Sequence, residues 1–142
     1  MILVIDEETV NRFKKYIEDI LIKSGAIKVL LVDMAGNLVV NVGPEVGLDV
    51  HSLAALSAAN FGATAEIAGI IGEQDFSLLF HKGKKNSIHL TKIQDLFVLI
   101  TIFNNRTSLG LMRLKIAHTK EKLFNELNKD GIYQPERKGN SV

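Results

Sequence analysis

Four histidines, His51, His81, His89 and His118, are the side chains of this 142-residue chain best suited to proton transfer or metal ligation. None is paired four positions away with another ligand type in a metal-binding pattern. His81 and His89 are spaced to face each other across a hairpin, although two strand histidines alone are an ordinary surface feature. Cysteine is absent, which removes thiolate nucleophiles, disulfides and zinc–thiolate sites. Gly83-Lys84 is the nearest approach to a phosphate loop. It lacks the glycine five residues earlier, where Leu78 stands, and Lys85 occupies the place of the Ser or Thr. Ser52, Ser57 and Ser108 have no nucleophile-elbow setting. Asp6, Glu7 and Glu8 suit the first turn of a helix, and Asp33 and Asp95 suit turns. The chain is expected to hold no catalytic residue, no cofactor and no metal, and to bind rather than catalyse.

Two basic groups stand out. His81, Lys82, Lys84, Lys85, His89 and Lys92 lie on a hairpin, and Arg113, Lys115, His118, Lys120 and Lys122 lie along a helix. Neither is interleaved with aromatic residues for base stacking. The net charge of +1 gives no bulk attraction to nucleic acid or anionic lipid, so neither partner is expected. Met1 to Ile5 is apolar but short, and the acidic triplet follows at once, which is the wrong charge for a secretory signal. A cytoplasmic location is the expectation.

The elements that must position these residues follow from periodicity. Glu7 to Ser24 reads as a helix, with Val10, Phe13, Ile17, Ile20 and Leu21 on one face. Ile27 to Asp33 is almost continuously apolar, as in a central strand. Asp33 to Asn37 supplies turn chemistry, and Leu38 to Val42 is the return strand. Asp49 or Ser52 caps a second helix that runs to about Gly72. Strands are expected at Phe76 to Lys82, Ser87 to Ile93 and Leu96 to Phe103, the last apolar on both faces. In the middle one Ile88 and Leu90 alternate with His89 and Thr91, which predicts one wet face. A third helix spans Ser108 to Lys129 with Met112, Ile116, Leu123 and Leu127 buried. The expectation is one α/β (α+β) domain over 1–129. Its order is α-β-β-α-β-β-β-α, with a five-stranded, mainly antiparallel sheet and helices on the sheet faces. A flexible tail is expected over 130–142.

The second helix is the most informative element. From Ser52 to Ile71 the only charge is Glu66, and alanine and glycine dominate. A membrane span needs about 20 predominantly apolar residues. Asn60, Thr64 and Glu66 interrupt this run, so a buried helix is the reading and no membrane insertion is expected. A helix nearly free of charge all round should be covered on more than one side. Ala55, Ala59, Gly62, Ala63 and Glu66 share a small-residue side suited to close approach of the same helix from a second copy across a two-fold axis. Leu53, Ser57, Asn60 and Thr64 form the side expected to face a different partner.

Three segments resemble the Roadblock family. Val29 to Val40 is similar to its opening of hydrophobic strand, Asp-x-x-Gly and return strand. The alanine-rich run Leu53 to Ile71 is similar to its second helix. Thr107 to Arg113 is similar to its leucine, glycine, hydrophobic, hydrophobic, arginine passage into the last helix. The resemblance spans about residues 7 to 128. It implies the Roadblock/longin-like fold and a homodimer, with a continuous sheet and antiparallel second helices. It also implies, as in bacterial members, a Ras-like small GTPase as partner, its hydrolysis stimulated without a donated catalytic group. The family equally contains scaffold subunits and motor light chains, and profilin-, PAS- and GAF-like sensor domains share its economy of sheet and helices.

Overall fold

A computed structural model describes residues 5–45, 47–73 and 78–129. The expected tail over 130–142 and the first two residues of the expected third strand lie outside these. Eight elements follow the expected order: α1 (Glu7–Ser24), β1 (Lys28–Asp33), β2 (Leu38–Val42), α2 (Val50–Ile70), β3 (Leu78–Lys82), β4 (Asn86–Ile93), β5 (Phe97–Asn104) and α3 (Leu109–Lys129). The strands form one sheet in the order β2-β1-β5-β4-β3, every neighbouring pair antiparallel. The two strands read as apolar on both faces, β1 and β5, are neighbours at its centre, and a sheet so built needs cover on both sides.

Helices α1 and α3 cover one side. Phe13, Ile17 and Ile20 of α1 and Met112, Ile116, Leu123 and Leu127 of α3 pack on Val29, Leu31, Leu99 and Phe103 of the sheet. α2 alone covers the other side, where Ala54 and Phe61 meet Leu30, Val32, Leu90, Val98, Ile100 and Ile102. α1 and α3 are tied to each other by charge as well as by packing. Arg12 Nε lies 3.0 Å from Glu126 Oε2, the Tyr16 hydroxyl donates to Glu126 Oε1 over 2.9 Å, and Lys115 pairs with Asp19 at 3.3 Å. The Tyr16 hydrogen bond, more than the Arg12 contact, holds the Glu126 carboxyl below its ordinary range.

The β1–β2 turn explains the Asp-x-x-Gly pattern. Asp33 Oδ1 accepts from the backbone N–H of Ala35 and Asn37, and its Oδ2 accepts from the Asn37 amide. Gly36 follows at φ +91°, where a Cβ would stand 2.9 Å from the Ala55 Cα. The turn backbone therefore rests on the first turns of α2, and only glycine fits between them.

Two expectations about β4 need correction. His89 and Thr91 do not line a wet face: they are 5% and 6% exposed, because α3 lies over that side of the strand. Nor do His81 and His89 face each other. His81 is registered with Ile88 and His89 with Phe80, so strand pleating sends the two rings to opposite sides of the sheet.

Gly36→Ala is expected to destabilise the fold by about 2 kcal/mol or more, from a positive φ imposed on a side chain and the clash with α2; denaturant titration measures it. Burial, with a smaller contribution from the Arg113 charge, lowers the His89 pKa to about 4 from 6.5. The unfolded chain then binds more protons than the folded one between these values. Stability contributed by the neutral ring is complete above pH 6.5 and is lost as pH falls toward 4. Melting curves of the wild type should decline across that window more steeply than those of His89→Gln, and parallel curves would refute the assignment.

Candidate protein-binding face

α2 begins at Asp49, whose carboxylate accepts from the Ser52 N–H over 3.1 Å and from the Ser52 hydroxyl over 2.6 Å. These contacts lower the Asp49 pKa, the Ser52 side chain first among them. From there the helix lays Ala54, Ser57, Ala58, Phe61 and Ala68 against the sheet. Phe61 is the only large side chain among them. Its burial is worth about 1.5–3 kcal/mol and the alanines much less. The helix has the length and mean hydropathy, 1.3, of a membrane-crossing segment. Its buried stripe instead seats it as one layer of the domain.

The opposite side of α2 carries more large apolar side chains than the seated side. Leu56 is 69% exposed and Ile70 84%, and Ile67 and, just past the last turn, Ile71 are exposed as well. On a helical projection Leu56, Ala59, Ala63, Glu66 and Ile70 lie diametrically opposite the buried stripe. All five residues read as the self-association side, Ala55, Ala59, Gly62, Ala63 and Glu66, are exposed. Gly62 meets no atom within 4 Å of where a Cβ would stand. A helix-interior glycine costs about 1 kcal/mol relative to alanine, and nothing inside the protomer requires that cost here.

The four residues read as facing a different partner are placed otherwise. Ser57 is 5% exposed and faces the sheet. Leu53 packs partly on the α2-side core. Asn60 Nδ2 lies 3.1 Å from His81 Nε2 and can donate to it, which joins α2 to β3. The Thr64 hydroxyl donates back to the Asn60 carbonyl over 2.8 Å. Leu53, Ser57 and Asn60 hold α2 to its own domain, whereas Thr64 bonds back within the helix and stays half-buried. The large apolar residues Leu56, Ile67, Ile70 and Ile71 complete the outward face. The spacing of small residues does not mark Leu56 and Ile70, which stand between them on the helix surface. Their angular distance from Phe61 was the available signal.

β3 adds a second feature. It is an edge strand, paired on one side with β4, and Leu78 and Phe80 are 49% and 44% exposed. An edge strand offers unpaired backbone N–H and C=O groups as a template for another strand. The Asn60–His81 contact sets this edge beside α2. Among the described residues no group of three His, Asp or Glu could hold a metal ion.

A five-stranded antiparallel sheet with two helices on one side, and one apolar, outward-presenting helix on the other, defines a small α/β module of the Roadblock/longin type. The family model described as the Roadblock/LC7 domain matches residues 13–103, and the chain belongs to that family. Among solved structures, it is similar to MglB of Myxococcus xanthus, with 34% identity and a TM-score of 0.82, over 94% of this chain and 99% of that one. It also resembles a gliding protein MglB of Thermus thermophilus, at 24% identity and TM-score 0.81, over 89% of this chain and 96% of that one. An MglB in a tetrameric arrangement matches at 24% identity and TM-score 0.80, over 89% and 96%. No curated protein matches the sequence.

Proposed function

We propose that this protein is a homodimeric regulatory module for a Ras-like small GTPase, which it binds and whose GTP hydrolysis it stimulates without contributing a catalytic group. The observation that carries this reading is the outward face of α2. It holds more large apolar side chains than the face seated on the sheet, and burying each is worth about 1.5–3 kcal/mol. Monomeric proteins rarely leave so much contiguous apolar surface open. In the dimer, α2 packs on its two-fold mate through Ala55, Ala59, Gly62 and Ala63, and the β3 edges extend the sheet. Likeness to MglB over nearly the whole of both chains supports the GTPase as partner. The phosphate-binding machinery then belongs to the partner, since this sequence has no phosphate loop. Rate stimulation comes from ordering the partner's own residues, a population shift driven by differential binding.

Two measurements test the proposal. Ala59→Arg should halve the mass seen by light scattering while leaving the melting temperature of the protomer nearly unchanged, because Ala59 is exposed there. An unchanged dimer mass would refute the placement of the seam. A Ras-like GTPase from the same genome should bind the wild-type dimer and turn over GTP faster in its presence. Binding without acceleration would favour the second reading from the family, a scaffold or light-chain-like dimer, and absence of binding would overturn the GTPase assignment.

A further inference from the structure

On the side of the sheet away from α2, a cleft of about 250 Å³ opens between β4 and α3. Its floor is His89 and Thr91 of β4. Its wall is Arg113, Ile116, Ala117 and Lys120 of α3, and Leu78 of β3 closes one end. Among the described residues no carboxylate lines it. Both floor residues are more than nine-tenths buried, so their polar atoms need hydrogen-bond partners in place of water.

The two flanks of α3 differ in a telling way. The flank toward α1 has its charges matched: Lys115 pairs with Asp19, Glu126 with Arg12 and Tyr16, and the Lys122 ammonium sits 5.4 Å from the centroid of the Tyr16 ring. Arg113 and Lys120, one helical repeat of seven apart on the flank toward β4, form no ion pair or hydrogen bond among the described residues. Two unmatched cations are therefore aimed along a recess whose floor is polar. Thr91 Oγ1 lies 3.1 Å from His89 Nδ1. If the hydroxyl donates, the ring carries its proton on Nε2, which then remains as a donor with no partner among the described residues. The imidazole is neutral at physiological pH, so burial of the ring does not add a third charge to the two on α3.

We propose that this cleft binds a small organic oxyanion, a phosphate or carboxylate carried on a short apolar body. Arg113 and Lys120 take the charged oxygens, the guanidinium being suited to two of them at once. His89 Nε2 supplies a donor from below. Leu78, Ile116 and Ala117 receive the apolar part. The volume lies just under the range of drug-sized pockets, about 300–1,000 Å³, which limits the ligand to a small metabolite. Because it bridges α3 to β4, the bound anion stabilises the packing of the last helix on the sheet by mass action. The site is on the opposite sheet face from the α2 seam and shares with the proposed dimer only Leu78, on the β3 edge, so loss of anion binding and loss of the dimer or of GTPase binding are separate outcomes.

The test is an NMR titration of the intact chain, following the ring ¹H–¹⁵N signals of His89. The probes are butyl phosphate, inorganic phosphate and chloride at matched ionic strength. Butyl phosphate should shift the His89 signals saturably with half-saturation on the order of 1 mM. Inorganic phosphate should do so more weakly, and chloride should not do so at all. Arg113→Ala with Lys120→Ala should weaken butyl phosphate at least about tenfold, as loss of charged hydrogen bonds requires, with the melting temperature little changed. Ala117→Phe, which fills the apolar part of the cleft, should weaken butyl phosphate more than inorganic phosphate. A His89 response that is absent, that chloride reproduces, or that survives in the double variant would overturn the proposal.

Discussion

Everything in this structure follows from a central strand pair that is apolar on both faces. β1 and β5 lie side by side, and Leu30, Leu31, Leu99 and Ile100 are fully buried whichever way they point. Neither face can be left to water. Among the described residues three helices serve the task, divided two and one. α1 and α3 together roof one side and lock to each other through Glu126. α2 has the other side to itself. A helix with its side chains is about 10–12 Å across, and strands are about 4.8 Å apart, so one helix spans roughly two strands of five. Cover on that side is therefore incomplete toward β3, where Leu79 and Ile88 remain only partly buried.

That division gives α2 its unusual character. It has to be apolar inward to seat on Leu30 and Ile100, and it is apolar outward as well, with Leu56 and Ile70 open. The Asp33 turn belongs to the same arrangement. Its backbone comes so close to Ala55 that a side chain at position 36 has no room, which couples the turn motif to the small residues at the start of α2. Motif and helix are thus two halves of one contact. The outward face has no such internal explanation. Gly62 stands in open space, and its lack of a side chain makes physical sense when another surface approaches.

α3 shows how one helix can serve two environments. Its inner stripe of Met112, Ile116, Leu123 and Leu127 is ordinary core, but its flanks differ. Toward α1 the charged groups are matched, and the pair fixes the angle between the helices. Toward β4, Arg113 and Lys120 hang over buried polar residues, and among the described residues no acid meets them. Among the described residues two buried side-chain atoms, Asn41 Oδ1 and the Thr101 hydroxyl oxygen, have no hydrogen-bond partner, and Thr101 sits in register with His89.

The sequence by itself determined the element order, the central pair and the helix stripes, because each rests on periodicity or on continuous apolarity within one short segment. Phe13, Ile17 and Ile20 recur at helical spacing, and β1 and β5 lack polar alternation. It also determined the family, through Asp33, Gly36 and the alanine-rich helix. Which side of each element meets a neighbour is set by long-range packing instead. Alternation in β4 predicts that His89 and Thr91 are wet, yet Arg113 to Lys120 of α3, more than twenty positions away in the chain, cover them. Helical projection groups Ser57 with Asn60 and Thr64, yet the sheet takes Ser57, and His81 is set to take Asn60. Local pattern records that a residue is polar or small. Whether it faces water, core or a cleft depends on chain segments distant in sequence, and these are brought together only by closing both faces of the sheet.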